Sequence, residues 1–230
     1  MRSLASRVRE DEQMDDASLE PDEYAAVLND LERVNAWTFA ARPTLDFLAR
    51  GTRGMTRFSL LDVGFGQGDM LRRIARWARK KGLKAELVGV DLNKKSETVA
   101  RAVTPADLPI DYRTGDYRGQ GRFDFIVSSL VTHHMTDEQL LAFLRHMESE
   151  SERGWLVNDL HRRLFPYLGF PLLARLLGVH RIVREDGQLS IARSFRPEEW
   201  RSILAEAGIA PGAARIRRYF PFRLCVERLS

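Results

Sequence analysis

At 230 residues, 44% apolar and 30% charged, the chain has the make-up of one ordinary globular domain with a full core, which excludes a disordered or fibrous protein. Its single cysteine, Cys225, excludes an internal disulfide or a cysteine-rich zinc site and reads as a buried apolar filler. A net charge of +4 leaves nucleic acid open as a partner, but the arginines are spread along the chain and not gathered in a tract.

The stretch Met1 to Arg9 carries arginines without an apolar signal-peptide core, so a reducing cytoplasm is the expected location. Residues 1–20, with Asp11, Glu12, Asp15 and Asp16 close together, read as a charged start whose first part is frayed. A helix is predicted from Pro21, where Asp22 and Glu23 suit its positive end and Leu28, Leu31 and Val34 recur at helical spacing. Pro43 interrupts, and a second helix is expected at about Thr44 to Ala49. Strand and helix signals then alternate. Strands are predicted at Phe58–Val63, Glu86–Val90, Ile110–Arg113, Phe123–Ser128 and Trp155–Asn158. Helices are predicted at Asp69–Lys81, Ser96–Ala102 and Thr136–Met147. On the first of these, Leu71, Ile74, Ala75 and Ala78 form the apolar face, and Arg72, Arg73, Arg76, Arg79 and Lys80 read as a solvated one. Pro197–Ala207 is a last helix stopped by Gly208, and Arg215–Leu229 reads as an antiparallel pair. The alternation implies an α/β fold with a doubly wound parallel sheet. One domain covers residues 1–230: an N-terminal helical cap (1–50), a core (51–160), an apolar insertion or lid (161–195), and the last helix with its hairpin (196–230).

The strongest motif is Leu61-Asp62-Val63-Gly64-Phe65-Gly66-Gln67-Gly68-Asp69, which follows a strand and opens a helix. A dinucleotide fingerprint spaces its glycines G-x-G-x-x-G. Here the third arrives one residue early, and Asp62 and Asp69 flank the loop. Two carboxylates suit a ligand with a cationic amino group and a sulfonium better than a pyrophosphate. Asp91, 23 residues beyond Gly68 at a strand end, is placed to accept hydrogen bonds from both hydroxyls of an adenosyl ribose.

This run resembles motif I of the class I S-adenosylmethionine-dependent methyltransferases, and Asp91 matches the acidic residue after their second strand, with Leu92 beside it. Gly115-Asp116-Tyr117 is similar to the next family motif, in which an acid contacts the adenine amino group and its neighbour flanks the ring. Phe123 to Ser129, with Ser128 at its end, and the following His-His-Met-Thr-Asp-Glu run resemble the fourth-strand motif. The resemblance spans about Leu60 to Asp159. It implies a Rossmann-like, seven-stranded sheet with a reversed C-terminal hairpin, and S-adenosylmethionine as cofactor held by Asp62, Gly64, Phe65, Gly66, Gly68, Asp69, Asp91, Leu92, Asp116, Tyr117 and Ser128. Shorter matches (Met14-Asp15-Asp16, Leu31 to Asn35, Asn158 to Arg162, Asp186 to Ser190) resemble the bacterial methyltransferases that accompany type III polyketide synthases. That likeness implies a phenolic or quinone-like acceptor in secondary metabolism.

Because a sulfonium donor is already activated, the protein has mainly to align the acceptor, exclude water and take a proton. His133 and His134, just past the fourth strand, and Asp159 and His161, at the end of the fifth, are the candidate catalytic residues. Arg42 is a candidate partner for the methionine carboxylate, with Tyr24 and Asn35 the other polar groups of the early helices. The insertion, with Leu164, Phe165, Tyr167, Leu168, Phe170, Leu172 and Leu173, is expected to be helical and to form a lid over an apolar acceptor pocket, so O-methylation of a small apolar molecule is the leading reading. No transmembrane segment is expected, though peripheral membrane contact is open, as is oligomeric state. C- or N-methylation remains an alternative, as does a cofactor-binding scaffold without activity. Nucleic-acid methylation is disfavoured, since Ser128-Ser129-Leu130 is not the turn that serves exocyclic amines and Cys225 is misplaced for pyrimidine C5 chemistry. No metal is called for: Asn158 and Asp159 have oxygen donors for magnesium, but Ser128 and Ser129 add no carboxylate.

Overall fold

The computed structural model describes residues 4–16 and 18–230, so the first three residues of the arginine-bearing start lie outside the described residues. Two helices, α1 (Pro21–Trp37) and α2 (Arg42–Gly51), precede an alternating series. It runs β1 (Arg57–Val63), α3 (Asp69–Lys80), β2 (Lys84–Asp91), α4 (Lys94–Val103), β3 (Ile110–Thr114), β4 (Phe123–Ser129), α5 (Asp137–Glu150) and β5 (Ser151–Leu160). The insertion forms two helices, α6 (Leu164–Leu176) and α7 (Arg181–Arg193), and α8 (Pro197–Glu206), β6 (Arg215–Tyr219) and β7 (Arg223–Leu229) complete the chain.

The seven strands lie in the order β3-β2-β1-β4-β5-β7-β6. The first five are parallel, and β7 runs antiparallel to both β5 and β6. This is the Rossmann-like sheet with a reversed final hairpin. Alternation along the strands divides the core between the two faces. Leu61, Val63, Ile126, Trp155 and Val157 pack with Phe143, Leu144 and Trp200 of α5 and α8. Phe58, Leu60, Phe125, Val127 and Leu156 pack on the other face with Phe47, Leu71 and Ile74 of α2 and α3. Cys225 is buried in that second layer, as a filler would be.

Two expectations need correction. Arg72 is only 3% exposed, because α1 lies against its helix: its guanidinium bonds the Gln67 carbonyl and Glu32, the latter at 2.9 Å. Residues 4–16 are not frayed. Val8 N–H donates to the Ala192 carbonyl at 3.2 Å, and the Gln13 and Met14 N–H groups donate to Asp186 at 3.0 and 2.9 Å. Charge clustered at a chain start reads as solvated, but here its partners sit in the distant insertion. The insertion is helical, as expected, and α6 runs through Gly169 and Pro171. A helical proline frees the carbonyl four residues earlier, and Gln188 Nε2 of α7 donates to that Tyr167 carbonyl at 2.9 Å. Among the described residues no helix is long and apolar enough to cross a membrane.

Candidate active site

The register aligns Val63 with both Val90 and Ser128, so β1, β2 and β4 end at one level. The glycine loop turns over that edge. Gly64 N–H donates to the Val90 carbonyl at 2.8 Å, and Gly66 N–H donates to Asp91 Oδ2 at 2.9 Å, so loop and acid are directly joined. Asn93 N–H holds Asp91 Oδ1 at 2.8 Å. A Cβ at Gly64 would strike Val131 and one at Gly68 the Tyr112 hydroxyl, so these two glycines serve packing. Gly66 differs. It sits at φ +57° with only Leu28 near, at 3.7 Å, and its open face is where a ligand can approach the backbone. Phe65 turns its ring inward onto Tyr112, with centroids 4.9 Å apart, so only its backbone serves the loop. Ser128 is a strut whose hydroxyl donates to the Val63 carbonyl at 2.9 Å. Leu92 is exposed at the rim. Beyond β3, Asp116 pairs with Arg118 at 2.7 Å, and Tyr117 stacks edge-on against Phe143.

The electrostatics of this edge favour a cationic ligand. Asp62 is buried and its Oδ1 has no hydrogen-bond partner. Burial, with Asp69 and Asp91 adding, pushes its carboxyl up to about 8. Burial likewise raises Asp69, with Glu32 adding, and raises Asp91 against the opposing hydrogen bonds of Asn93 and Gly66. An ammonium or sulfonium among them would relieve all three. At the same edge Arg223 begins β7, opposite Leu160. It is 3% exposed, its Nε and Nη1 lack hydrogen-bond partners, and Nη2 reaches only Asn35 Oδ1 at 3.4 Å. Such a guanidinium suits a ligand carboxylate. Arg42, by contrast, is exposed, with its Nε 3.8 Å from Asp46. The donor set therefore fits S-adenosylmethionine: acids for its cationic groups, Asp91 for its ribose, and the Gly66 opening for its body. Sequence reasoning missed Arg223 because nothing local marks a hairpin arginine as buried.

A second cluster sits beyond β4 and β5. Asp159 is fully buried and accepts from the Thr132 hydroxyl (2.5 Å), His133 N–H (3.1 Å), His133 Nδ1 (2.7 Å) and Leu160 N–H (2.7 Å). Burial opposes its ionisation, but His133 and these donors hold it below the ordinary carboxylate range. His133 is driven the other way. Burial would lower it, but Asp159 and Glu12 together raise it to about 9. Glu12, 4% exposed, accepts from the Ser190 hydroxyl at 2.8 Å and lies 3.5 Å from His133 Nε2. Despite the opposing effect of burial, the two histidines and Ser190 lower it. His134 is half-buried, with Nδ1 2.8 Å from Asp15 and Nε2 3.8 Å from Glu12. The structure thus brings together His133, His134 and Asp159 and adds Glu12, whose acidic neighbours were the only signal in the sequence. His161 is elsewhere. It lines a cavity of about 260 Å³ with Arg162, Arg163, Arg196 and Arg218, and burial, with Arg163 and Arg218 adding, lowers its imidazole to about 4. Asn158 offers no metal oxygen, since its amide is used by Ala40, Thr44 and Cys225. Tyr24, from α1, bonds Ser96 at 2.9 Å behind Asp91.

Sheet order, glycine loop and acid-lined edge are those of the Rossmann-like class I methyltransferase fold. Residues 60–150 match the family model described as a methyltransferase domain, and the chain carries that domain. No curated protein matches its sequence. Among solved structures it is similar to the magnesium protoporphyrin IX methyltransferase from Synechocystis PCC 6803 with bound SAH (TM-score 0.56, 16% identity, 93% of this chain and 89% of that one). It is also similar to the plantazolicin methyltransferase BpumL in complex with SAH (0.67, 14%, 92% and 91%). Human N-acetylserotonin methyltransferase in complex with SAM gives 0.63 at 14% identity, with 92% of this chain but 56% of the human protein covered.

Proposed function

We propose that this methyltransferase modifies a small, largely apolar acceptor, most naturally a phenolic or quinone-like oxygen in secondary metabolism, within the reducing cytoplasm. S-adenosylmethionine supplies an activated methyl group. The residues of the chain hold it in place, exclude water and take up the acceptor's proton. The observation that carries the acceptor class is the pairing of two features beyond β5. One is an open groove of about 520 Å³ lined by Leu164, Phe165, Leu168 and Phe222. The other is the His133–His134–Asp159 cluster, in which His133 already holds a proton between Asp159 and Glu12 and half-buried His134 is the group placed to take one from a hydroxyl. In this reading Asp62, Gly66, Asp69, Asp91 and Arg223 bind the cofactor, Asp116, Tyr117 and Leu92 frame its adenine, and α6 acts as a lid. The plantazolicin methyltransferases, crystallised with azole-containing analogues of their substrate, support a natural-product acceptor.

The test is a panel of phenols, quinols, carboxylic acids, amines and short RNAs incubated with the protein and cofactor, with methylated product read by mass spectrometry. Phenolic or quinol substrates should turn over. Methylation confined to amines or RNA would refute the acceptor class. Asp91→Ala should weaken cofactor binding by roughly 1–3 kcal/mol in titration calorimetry, because charged hydrogen bonds are lost. Unchanged affinity would refute the ribose assignment.

A further inference from the structure

Beyond the methyl-transfer chemistry, we infer that Glu12, His133 and His134 form a binding site for a divalent transition-metal ion of the zinc type. One carboxylate and two imidazoles converge there, with the ligating atoms of all three within 4.8 Å of one another. The two Nε2 atoms lie 3.5 and 3.8 Å from opposite oxygens of the Glu12 carboxylate. Donor atoms about 2.0–2.2 Å from one zinc ion lie roughly 3–4 Å apart, so little movement separates this arrangement from a coordination sphere.

The surroundings orient both rings for that role. His133 Nδ1 is bonded to Asp159 at 2.7 Å and His134 Nδ1 to Asp15 at 2.8 Å. Metal-binding imidazoles are typically held this way: a carboxylate on one ring nitrogen fixes the tautomer and presents the other nitrogen's lone pair. Both of those nitrogens face the Glu12 carboxylate, at 3.5 and 3.8 Å, so an ion would take the place of the proton that otherwise stands between ring and carboxylate. Ser190 anchors Glu12 from behind through its hydroxyl, at 2.8 Å. Two nitrogens and a carboxylate oxygen match zinc, manganese or ferrous iron better than magnesium or calcium, which prefer all-oxygen sets.

The placement gives the ion two consequences. Glu12 belongs to the N-terminal segment, whereas the histidines follow β4, so an ion would clasp that segment to the sheet edge. Three protein ligands also leave a position open, as in catalytic zinc sites, which a water or an acceptor oxygen can take. A hydroxyl bound there loses its proton more readily, and with both imidazoles engaged that proton passes to solvent.

The test is zinc titration of the chelator-stripped full chain by calorimetry, with thermal melting and zinc-edge X-ray absorption on the loaded protein. One ion per chain, a raised melting temperature and an absorption pattern with two imidazole ligands are expected. Glu12→Gln and His134→Gln should abolish that saturable binding. Asp159→Asn, which touches no ion, should weaken it by roughly 10- to 100-fold. His180→Gln, at an exposed pair with Glu23, should leave it unchanged. Cofactor affinity, measured on each variant, reports whether it is folded. The inference is overturned if no zinc binds to folded wild-type protein, if Glu12→Gln and His134→Gln bind as wild type does, or if absorption finds fewer than two imidazoles. Acceptor turnover plays no part in these readouts, so failure of the proposed acceptor leaves them intact.

Discussion

Among single residues, Asp62 stands out because it is a carboxyl group with an orphaned oxygen in a dry site. Its folded value of about 8 means that it carries a proton at pH 6.5 in the ligand-free protein. A carboxyl raised in this way favours the folded state while protonated. Its contribution is complete below the ordinary carboxylate range and is lost as pH rises toward 8. Ligand-free protein should therefore lose melting temperature along that limb, and Asp62→Asn should flatten it. Binding a cationic cofactor should expel the proton. At pH 6.5 up to about one proton per chain should be released, seen as a calorimetric heat that varies with the ionisation enthalpy of the buffer. A heat independent of buffer would remove Asp62 from the cationic site. The loop glycines separate binding from folding. In Gly66→Ala the new methyl meets only Leu28, at an ordinary van der Waals distance, so the cost is the positive φ, roughly 1–2 kcal/mol, together with a larger loss of cofactor affinity. In Gly68→Ala the methyl meets Tyr112, and melting temperature should suffer more than affinity. The reverse order would mean that the ligand does not approach through Gly66.

Elements built from local signals were legible, and contacts that depend on distant partners were not. Leu61 to Asp69 carries strand, turn and helix start within nine residues, and Thr136 with Gln139 forms a capping box that fixes the start of α5. The order of alternation then determined the sheet. In contrast, what supports α6 is not local: the Tyr167 carbonyl that Pro171 leaves free is paired only in three dimensions, by a glutamine 21 residues further on. That bond predicts its own test. Gln188→Ala leaves the Tyr167 carbonyl without a donor beside a buried side chain, at a cost of about 1–3 kcal/mol. For a chain of this size the melting temperature should fall by roughly 2–12 °C. Cofactor affinity should hold, since the glycine loop lies on another part of the edge. A melting temperature equal to wild type would mean that α6 tolerates Pro171 without that bond.

Across the whole molecule, the parts that could not be read from sequence converge on one seam. Glu12, Arg193 and Arg223 are charged residues with no periodic pattern, and each is buried only because residues far apart in the chain meet at the carboxyl edge. Patterning reports which face of an element is apolar, but it does not report which charges will lose their water. The N-terminal segment crosses that seam. Arg7 lies over the Phe195 ring at 3.8 Å and donates from Nε to the Arg193 carbonyl at 2.8 Å. The Leu4 carbonyl accepts from Arg162 and Arg196 at 3.1 and 2.7 Å, and Asp186 holds the turn at Gln13 and Met14. The segment thus fastens the insertion helices to the sheet, and Asp186 is the hinge pin, because it accepts two adjacent backbone N–H groups there. Asp186→Ala should loosen residues 4–16 without touching the parallel strands. Hydrogen exchange should then rise at Val8, Gln13 and Met14 and stay at wild-type level in Arg57–Val63 and Phe123–Ser129. Opening the seam also moves Glu12 away from His133, so zinc affinity should fall in the same variant even though no ligand has been replaced. Loss of protection spreading evenly through the sheet would mean that Asp186 supports the fold as a whole and not the strap across its edge.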